Sequence, residues 1–261
     1  MSEPNEARVL AGRGIVVTRP AGQAARLVQL LKARGATSLL FPAIEIAAVR
    51  DPRPLAALIA RLDEFDVAIF ISPNAVEHAF AAIRALRAFP TRVAVAAIGA
   101  GTMAALKRMG QTSIIAPARF DSESLLALPE LKDVSRKRVL VFRGEGGREL
   151  LAATLRERGA SVEYGECYRR IQPQLDPAPL LAAWARGEVH AVTVTSSEGL
   201  RNFCAMVGTA GRESLRQSPL FAPHPRIVQS ARDAGIAEVV LTPQGDEGLV
   251  QALCAFFAPP S

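Results

Sequence analysis

A short apolar run that ends in a glycine-rich turn and passes straight into an amphipathic helix leaves few architectures open. This chain repeats that unit along its length. The clearest copy is Arg138-Val-Leu-Val-Phe-Arg143-Gly-Glu-Gly-Gly147-Arg148, followed by the stretch from Glu149 to Arg158 and by Gly159. Val139 to Phe142 has the length and the side chains of a strand buried on both faces. Leu150, Leu151 and Leu155 share one face of the helix after it, and Gly159 supplies its C-terminal cap. The turn is expected to aim free backbone N–H groups at an anion, with the forked donors of Arg143 and Arg148 on either side.

The same cycle runs from Ile15 to the last helix. Strands are expected at 15–17, 38–41, 66–71, 93–98, 113–116, 191–195, 220–222 and 238–241. Helices are expected at 23–34, 52–62, 75–86, 103–109, 124–128, 180–186, 199–207, 212–216, from 227, and at 248–257. Residues 1 to about 11 read as a disordered arm. Alternation at this spacing means α/β with parallel sheets flanked by helices, flavodoxin-like or Rossmann-like. About nine or ten strands are more than one open sheet of this size takes, so two domains are expected. Two alternating pieces, 44–49 and 162–171, lack a prompt following helix and are expected to pair as a two-stranded bridge. The division is then 1–41 with 172–261 as one domain, 49–161 as the other, and 42–48 with 162–171 as the linker.

Composition narrows the partners. A formal net charge of +6 suits an anion, but the Lys and Arg are dispersed, and only Tyr164, Tyr168 and Trp184 offer non-Phe rings for base stacking. A small polyanionic ligand is therefore expected, and no nucleic acid. Three cysteines far apart and three isolated histidines give neither a disulfide framework nor a metal site, as suits a reducing cytoplasm. Uncharged runs such as 93–106 fall short of the ~20 residues of a membrane helix, so no membrane partner is expected. The polar N-terminus, Met1-Ser-Glu-Pro-Asn-Glu, does not read as a signal peptide.

In parallel sheets ligands gather at the carboxyl ends of the strands. Here those ends carry Thr18 and Arg19, Ser72 and Asn74, Gly99 to Thr102 with Gly101 between, Arg143, Gly144 and Glu145, Thr195, Ser196 and Ser197, His224 and Arg226, and Thr242. Such a rim binds anions and lacks a nucleophile–base pair. Ser72, Asn74, Ser122, Ser196 and Ser197 suit helix N-caps equally well. Gly99, Gly101 and Ala104 match a dinucleotide fingerprint, but Ala116-Pro117 stands where its acidic residue belongs, so no nicotinamide cofactor is expected. Tyr168 is a packed amphipathic ring or a proton donor, and Glu145 a first-turn carboxylate or a general acid. His224, beside Pro225, is a turn histidine or a catalytic one.

Taken in succession, several stretches resemble the uroporphyrinogen-III synthase family. They are Val17-Thr18-Arg19-Pro20, Ile71-Ser72-Pro73-Asn74-Ala75-Val76, Ala97-Ile98-Gly99-x-Gly101-Thr102 and Ser122-Glu123-x-Leu125. Val141-Phe142-Arg143-Gly144-Glu145-x-Gly147-Arg148, Tyr168-x-Arg170 and Thr195-Ser196-Ser197 complete the set. The resemblance implies two α/β domains joined by a two-stranded bridge, an active site in the cleft between them, no cofactor, and action as a monomer on a linear, polyanionic tetrapyrrole. Tyr168 is then the candidate catalytic residue, and the rim groups named above, Arg148 and Arg226 included, hold the substrate. The chain departs from one common pattern near its C-terminus, where His224-Pro-Arg226 replaces a Gly-rich turn with Thr, and that Thr is not carried onto Ser230. Two other readings of the rim remain: a non-catalytic two-domain sensor of a small anion, and a nucleotide-dependent enzyme using Gly99 to Ala104.

Overall fold

The computed structural model describes residues 8–119, 121–147 and 149–259. In chain order the strands are β1 (Gly14–Val17), β2 (Thr37–Leu40), β3 (Glu45–Ala47), β4 (Val67–Phe70), β5 (Ala94–Ala97) and β6 (Ile114–Ile115). They continue with β7 (Arg138–Gly144), β8 (Ser161–Ile171), β9 (Ala191–Thr193), β10 (Leu220–Ala222) and β11 (Val239–Leu241). The helices are α1 (Ala25–Ala33), α2 (Arg53–Ala60), α3 (Pro73–Leu86), α4 (Ala100–Arg108), α5 (Ser122–Leu126) and α6 (Pro129–Lys132). After them come α7 (Leu150–Glu157), α8 (Ala178–Ala185), α9 (Ser197–Gln217), α10 (Pro225–Asp233) and α11 (Gly245–Phe257).

These elements form two compact units, Met1–Glu45 with Ile171–Ser261, and Ile46–Arg170. The first holds a five-stranded sheet in the order β11-β10-β9-β1-β2, parallel throughout. The second holds a six-stranded sheet in the order β3-β8-β7-β4-β5-β6, parallel from β8 to β6. This is the expected α/β class, with parallel sheets flanked by helices. β3 does lie beside β8. The pair is not free-standing, however: β8 also runs beside β7 from Arg138↔Ser161 onward, so both strands extend the six-stranded sheet.

Strand side chains alternate between the faces, and both faces are covered. In β4, Val67 and Ile69 enter one apolar cluster while Ala68 and Phe70 enter another. In β7, Val139 and Val141 join the first and Leu140 and Phe142 the second. Ile15 and Val17 of β1 likewise oppose Val16. A strand buried on both sides must be apolar along its whole length, which is why these segments read as continuous hydrophobic runs. Phe70 and Phe142 stack at 4.8 Å on neighbouring strands, each fully buried, and burying such a ring stabilises by ~1.5–3 kcal/mol.

The structure corrects several expected details. Residues 8–11 are folded: Leu10 is fully buried and its N–H donates to Arg34 O, because the α1–β2 connection needs an apolar cover; residues 1–7 lie outside the described part. Gly101 and Thr102, expected in a turn, already belong to α4, since Gly99 takes the extended N-cap conformation. Asp121, not Ser122, caps α5 by accepting from Ser124 N, and α6 follows, unforeseen, behind Pro129. The two helices expected at 199–207 and 212–216 form α9, broken at Gly208, whose φ of 60° only glycine adopts freely.

The two edges of the six-stranded sheet differ in charge. Around the first residues of β7 and β8, Arg61 meets Glu163 at 2.5 Å, and Arg138 meets Glu64 at 2.5 Å and Glu163 at 3.5 Å. Hydrogen bonding from Arg61, then its charge and Arg138, holds the Glu163 carboxyl below the ordinary range despite partial burial. An ionic cluster thus occupies the amino edge, while the opposite one carries hydroxyls and N–H groups beside the Arg143–Glu149 pair. Among the described residues no helix is long and apolar enough to cross a membrane.

Candidate functional site

At the carboxyl edge of the six-stranded sheet, Tyr168 is set by an irregularity in its strand. Arg143 pairs with Glu166 and Gly144 with Tyr168, so Cys167 is an extra residue, a β-bulge. Strict alternation would send Tyr168 to the face of Tyr164. The bulge sends it instead to the face of its neighbour Cys167, and both lie in the cluster with Phe70 and Phe142. Gly144 makes room for the ring, since a Cβ there would come within 2.7 Å of two of its carbons.

The Tyr168 hydroxyl lies 3.2 Å from Ser72 Oγ. Ser72 caps α3 as expected, accepting from Ala75 N at 3.0 Å. With that lone pair engaged, the Ser72 proton is able to turn toward the phenol oxygen, leaving the phenol proton for a ligand. His78, one turn into α3, has its ring 5.7 Å from that of Tyr168. Asn74 lies half-buried in the first turn of α3. Gly101 packs near Pro73, and Thr102 is buried in the first turn of α4. Gly99 has no side chain to cap α4, and the first intrahelical bond there is Met103 N to Gly99 O, so the N–H groups of Ala100, Gly101 and Thr102 face outward.

The glycine-rich turn is not the expected anion seat. Arg143 is 3% exposed, and its guanidinium is taken up inside the turn, donating to Gly146 O at 2.9 Å and to Glu149 Oε1 at 3.0 Å. It also lies 4.4 Å over the Tyr164 ring. Gly146 and Gly147, at φ 69° and 123°, turn a carbonyl rather than N–H groups toward it. The Glu145 N–H goes to Tyr168 O and the Gly146 N–H to Glu166, so those donors are occupied as well. Arg143 is therefore a brace. Glu145 is exposed, and Arg148 lies outside the described residues. Glu149, which sequence reasoning missed, is held below its ordinary pKa by hydrogen bonds from Tyr164 and Arg143. Tyr164 is raised, first by burial and then by that carboxylate.

In the five-stranded sheet Thr18 is likewise structural. It is buried, and its hydroxyl donates to Thr193 O at 2.8 Å while the Thr193 hydroxyl donates to Val16 O, so the two tie β1 to β9. Arg19 meets Asp246 at 2.6 Å, and its Nε is buried without a partner. Asp246, 8% exposed, is an acid in this part of the rim that the sequence reading overlooked. Its signal was a run of acids, Asp246-Glu247, in the first turn of α11, placed three residues early against an expected start at Gly248. Ser196 caps α9 through Gly199 N, Thr195 is half-buried before it, and the buried Ser197 hydroxyl has no partner. His224 caps α10, its Nδ1 accepting from Arg226 N at 3.1 Å, so it is a capping histidine; the Arg226 side chain is exposed. Among the described residues no three His, Cys, Asp or Glu side chains group as metal ligands would.

Fold and rim together define a doubly wound α/β protein of two units, whose strand ends offer neutral donors, guanidinium groups and the Ser72-bonded phenol of Tyr168. The family described as Uroporphyrinogen-III synthase HemD matches residues 25–251. The chain is 36% identical over 243 residues to a uroporphyrinogen-III synthase of Salmonella typhimurium and 35% identical over 243 residues to one of Escherichia coli, covering 92% of this chain and 99% of each relative. Its fold is similar to a mutant uroporphyrinogen III synthase of Thermus thermophilus (TM-score 0.60, 22% identity, 94% of this chain and 97% of that one). It is also similar to the enzyme of Helicobacter pylori (TM-score 0.56, 14% identity, 94% and 99%). The chain belongs to the uroporphyrinogen-III synthase family, and is thereby a lyase of porphyrin biosynthesis.

Proposed function

We propose that this protein cyclises hydroxymethylbilane to uroporphyrinogen III, with loss of water and inversion of the last pyrrole ring, acting as a single chain in the cytoplasm. The substrate is a linear tetrapyrrole with an acetate and a propionate on each ring. A pyrrole nitrogen expels the terminal hydroxyl as water and leaves an electrophilic azafulvene. The last ring is then attacked at its already substituted carbon, and the spiro intermediate reopens and closes with that ring turned over. Such a substrate needs little activation and a great deal of orientation. A ~3 kcal/mol preference for one attack geometry is already more than a hundredfold in isomer ratio.

The observation that carries this reading is the Tyr168–Ser72 pair on a rim without a nucleophile–base pair, in a chain of this family. Tyr168 is proposed to protonate the departing hydroxyl, with Ser72 fixing the phenol oxygen. The outward N–H groups at the start of α4, the unpartnered Ser197 hydroxyl, Thr195, Asn74, Arg19 and Arg226 are proposed to take substrate carboxylates. Arg143, Thr18 and His224, each engaged in holding its own element, are left out of that set. The test is the isomer ratio. Purified protein should divert hydroxymethylbilane from the spontaneous I isomer to the III isomer, and an unchanged ratio would refute the proposal. The sensor reading predicts tight binding without turnover, and no observation favours it.

A further inference from the structure

A cavity of about 280 Å³ lies in the unit of the five-stranded sheet, at the opposite end of α10 from His224. Val207 and Leu215, from either side of the break at Gly208 in α9, form its apolar walls with Ile236, and all three are buried. Cys204 lies along it, and Ala234, exposed at the end of α10, stands at its mouth. Two cations complete the lining. Arg212 and Arg216 are four residues apart on α9, exposed, and neither is ion-paired among the described residues. Like charges at this helical spacing repel.

An apolar cavity of about 150 Å³ accommodates benzene, so this one has the volume for a fused bicyclic ring. We propose that it is a second ligand site, which takes a small aromatic carboxylate. The ring packs against Val207, Leu215 and Ile236, and the carboxylate sits at the mouth between Arg212 and Arg216. Guanidinium groups bind a carboxylate through charge-assisted forks, and the anion relieves their mutual repulsion. Because the walls come from both sides of Gly208, an occupied site also ties the two segments of α9 together. None of the groups assigned to the tetrapyrrole takes part, so this site stands or falls apart from the proposed activity.

The experiment is calorimetric titration of the full chain with 2-naphthoate and with its neutral amide at low salt. Naphthoate should bind, the amide about tenfold more weakly, and the Arg212→Ala/Arg216→Ala variant should lose about tenfold in affinity. Ala234→Trp, at the exposed C-cap of α10 whose φ of −77° suits any L side chain, should close the mouth and abolish binding. Saturating naphthoate should also slow alkylation of Cys204, followed by peptide mass mapping. The proposal is overturned if naphthoate does not bind at millimolar concentration, if the double variant binds it as the parent does, or if Cys204 reacts at the same rate with and without it.

Discussion

Ser72 Oγ and Tyr168 Oη lie 3.2 Å apart, and each is put there by a different local device: a helix cap for the serine, a β-bulge for the tyrosine. Tyr168→Phe keeps the ring and removes the proton. Isomer III formation should slow by roughly tenfold or more, the lower end of what general acid catalysis supplies. A rate within twofold of the parent would make the tyrosine a packing residue.

Gly144→Ala tests the same pair from the other side. The added Cβ meets the Tyr168 ring at 2.7 Å, so the ring must move off Ser72. Turnover should fall about as far as in Tyr168→Phe, and overpacking should lower stability by ~1–3 kcal/mol in urea titration. Full activity would mean that the ring position does not matter.

Arg143→Met separates bracing from binding. Removing the buried guanidinium ends its hydrogen bonds to Gly146 O and Glu149 Oε1, and a bond from a charged donor contributes ~1.5–3 kcal/mol. The urea midpoint should drop while KM for hydroxymethylbilane stays within about twofold. A large rise in KM with unchanged stability would restore Arg143 to the binding set.

The pH dependence of that turn has two limbs. Glu149 is depressed below 4.5, so its contribution is complete above that value and is lost as pH falls through the folded pKa. Tyr164 is raised above 10.0, so its contribution is complete below that value and is lost as pH rises through the folded pKa. Urea midpoints of Glu149→Gln should be flatter than the parent's on the acid side, and those of Tyr164→Phe on the alkaline side. Coincident curves would show that the pair does not couple to folding.

Cys167 is buried and pushed up to about 12 by that burial. Native protein treated with iodoacetamide at pH 8 should leave it unmodified, because the thiolate is the nucleophile. Labelling of Cys167 ahead of the partly exposed Cys254 would show that β8 opens.

The alternation of strands and helices was readable because a parallel sheet covered on both faces forces unbroken apolar runs such as Val139 to Phe142. The caps at Ser72 and Ser196 were readable because capping is local chemistry. Arg143 was misread because its role depends on where the Gly146 carbonyl points, a matter of a left-handed dihedral angle rather than of residue type. The facing of Tyr168 was hidden for a related reason, since a bulge belongs to a pair of strands and one strand's pattern does not contain it. The Arg19–Asp246 pair joins the two ends of the chain and needs the folded sheet to be seen.

The order β9-β1-β2 has a consequence for synthesis. β1 is an inner strand whose neighbour on one side is β9, at Ala191–Thr193, so it waits for that partner while the whole intervening unit leaves the ribosome. At a synthesis rate of ~5–20 residues per second the wait is roughly ten to thirty seconds. During it Ile15, Val16 and Val17 lack their cover, and a released chain truncated after residue 185 should be cut by protease within residues 8–45 while 46–170 resists. Equal resistance of both segments would show that the N-terminal hairpin of strand and helix shelters itself before its partner arrives.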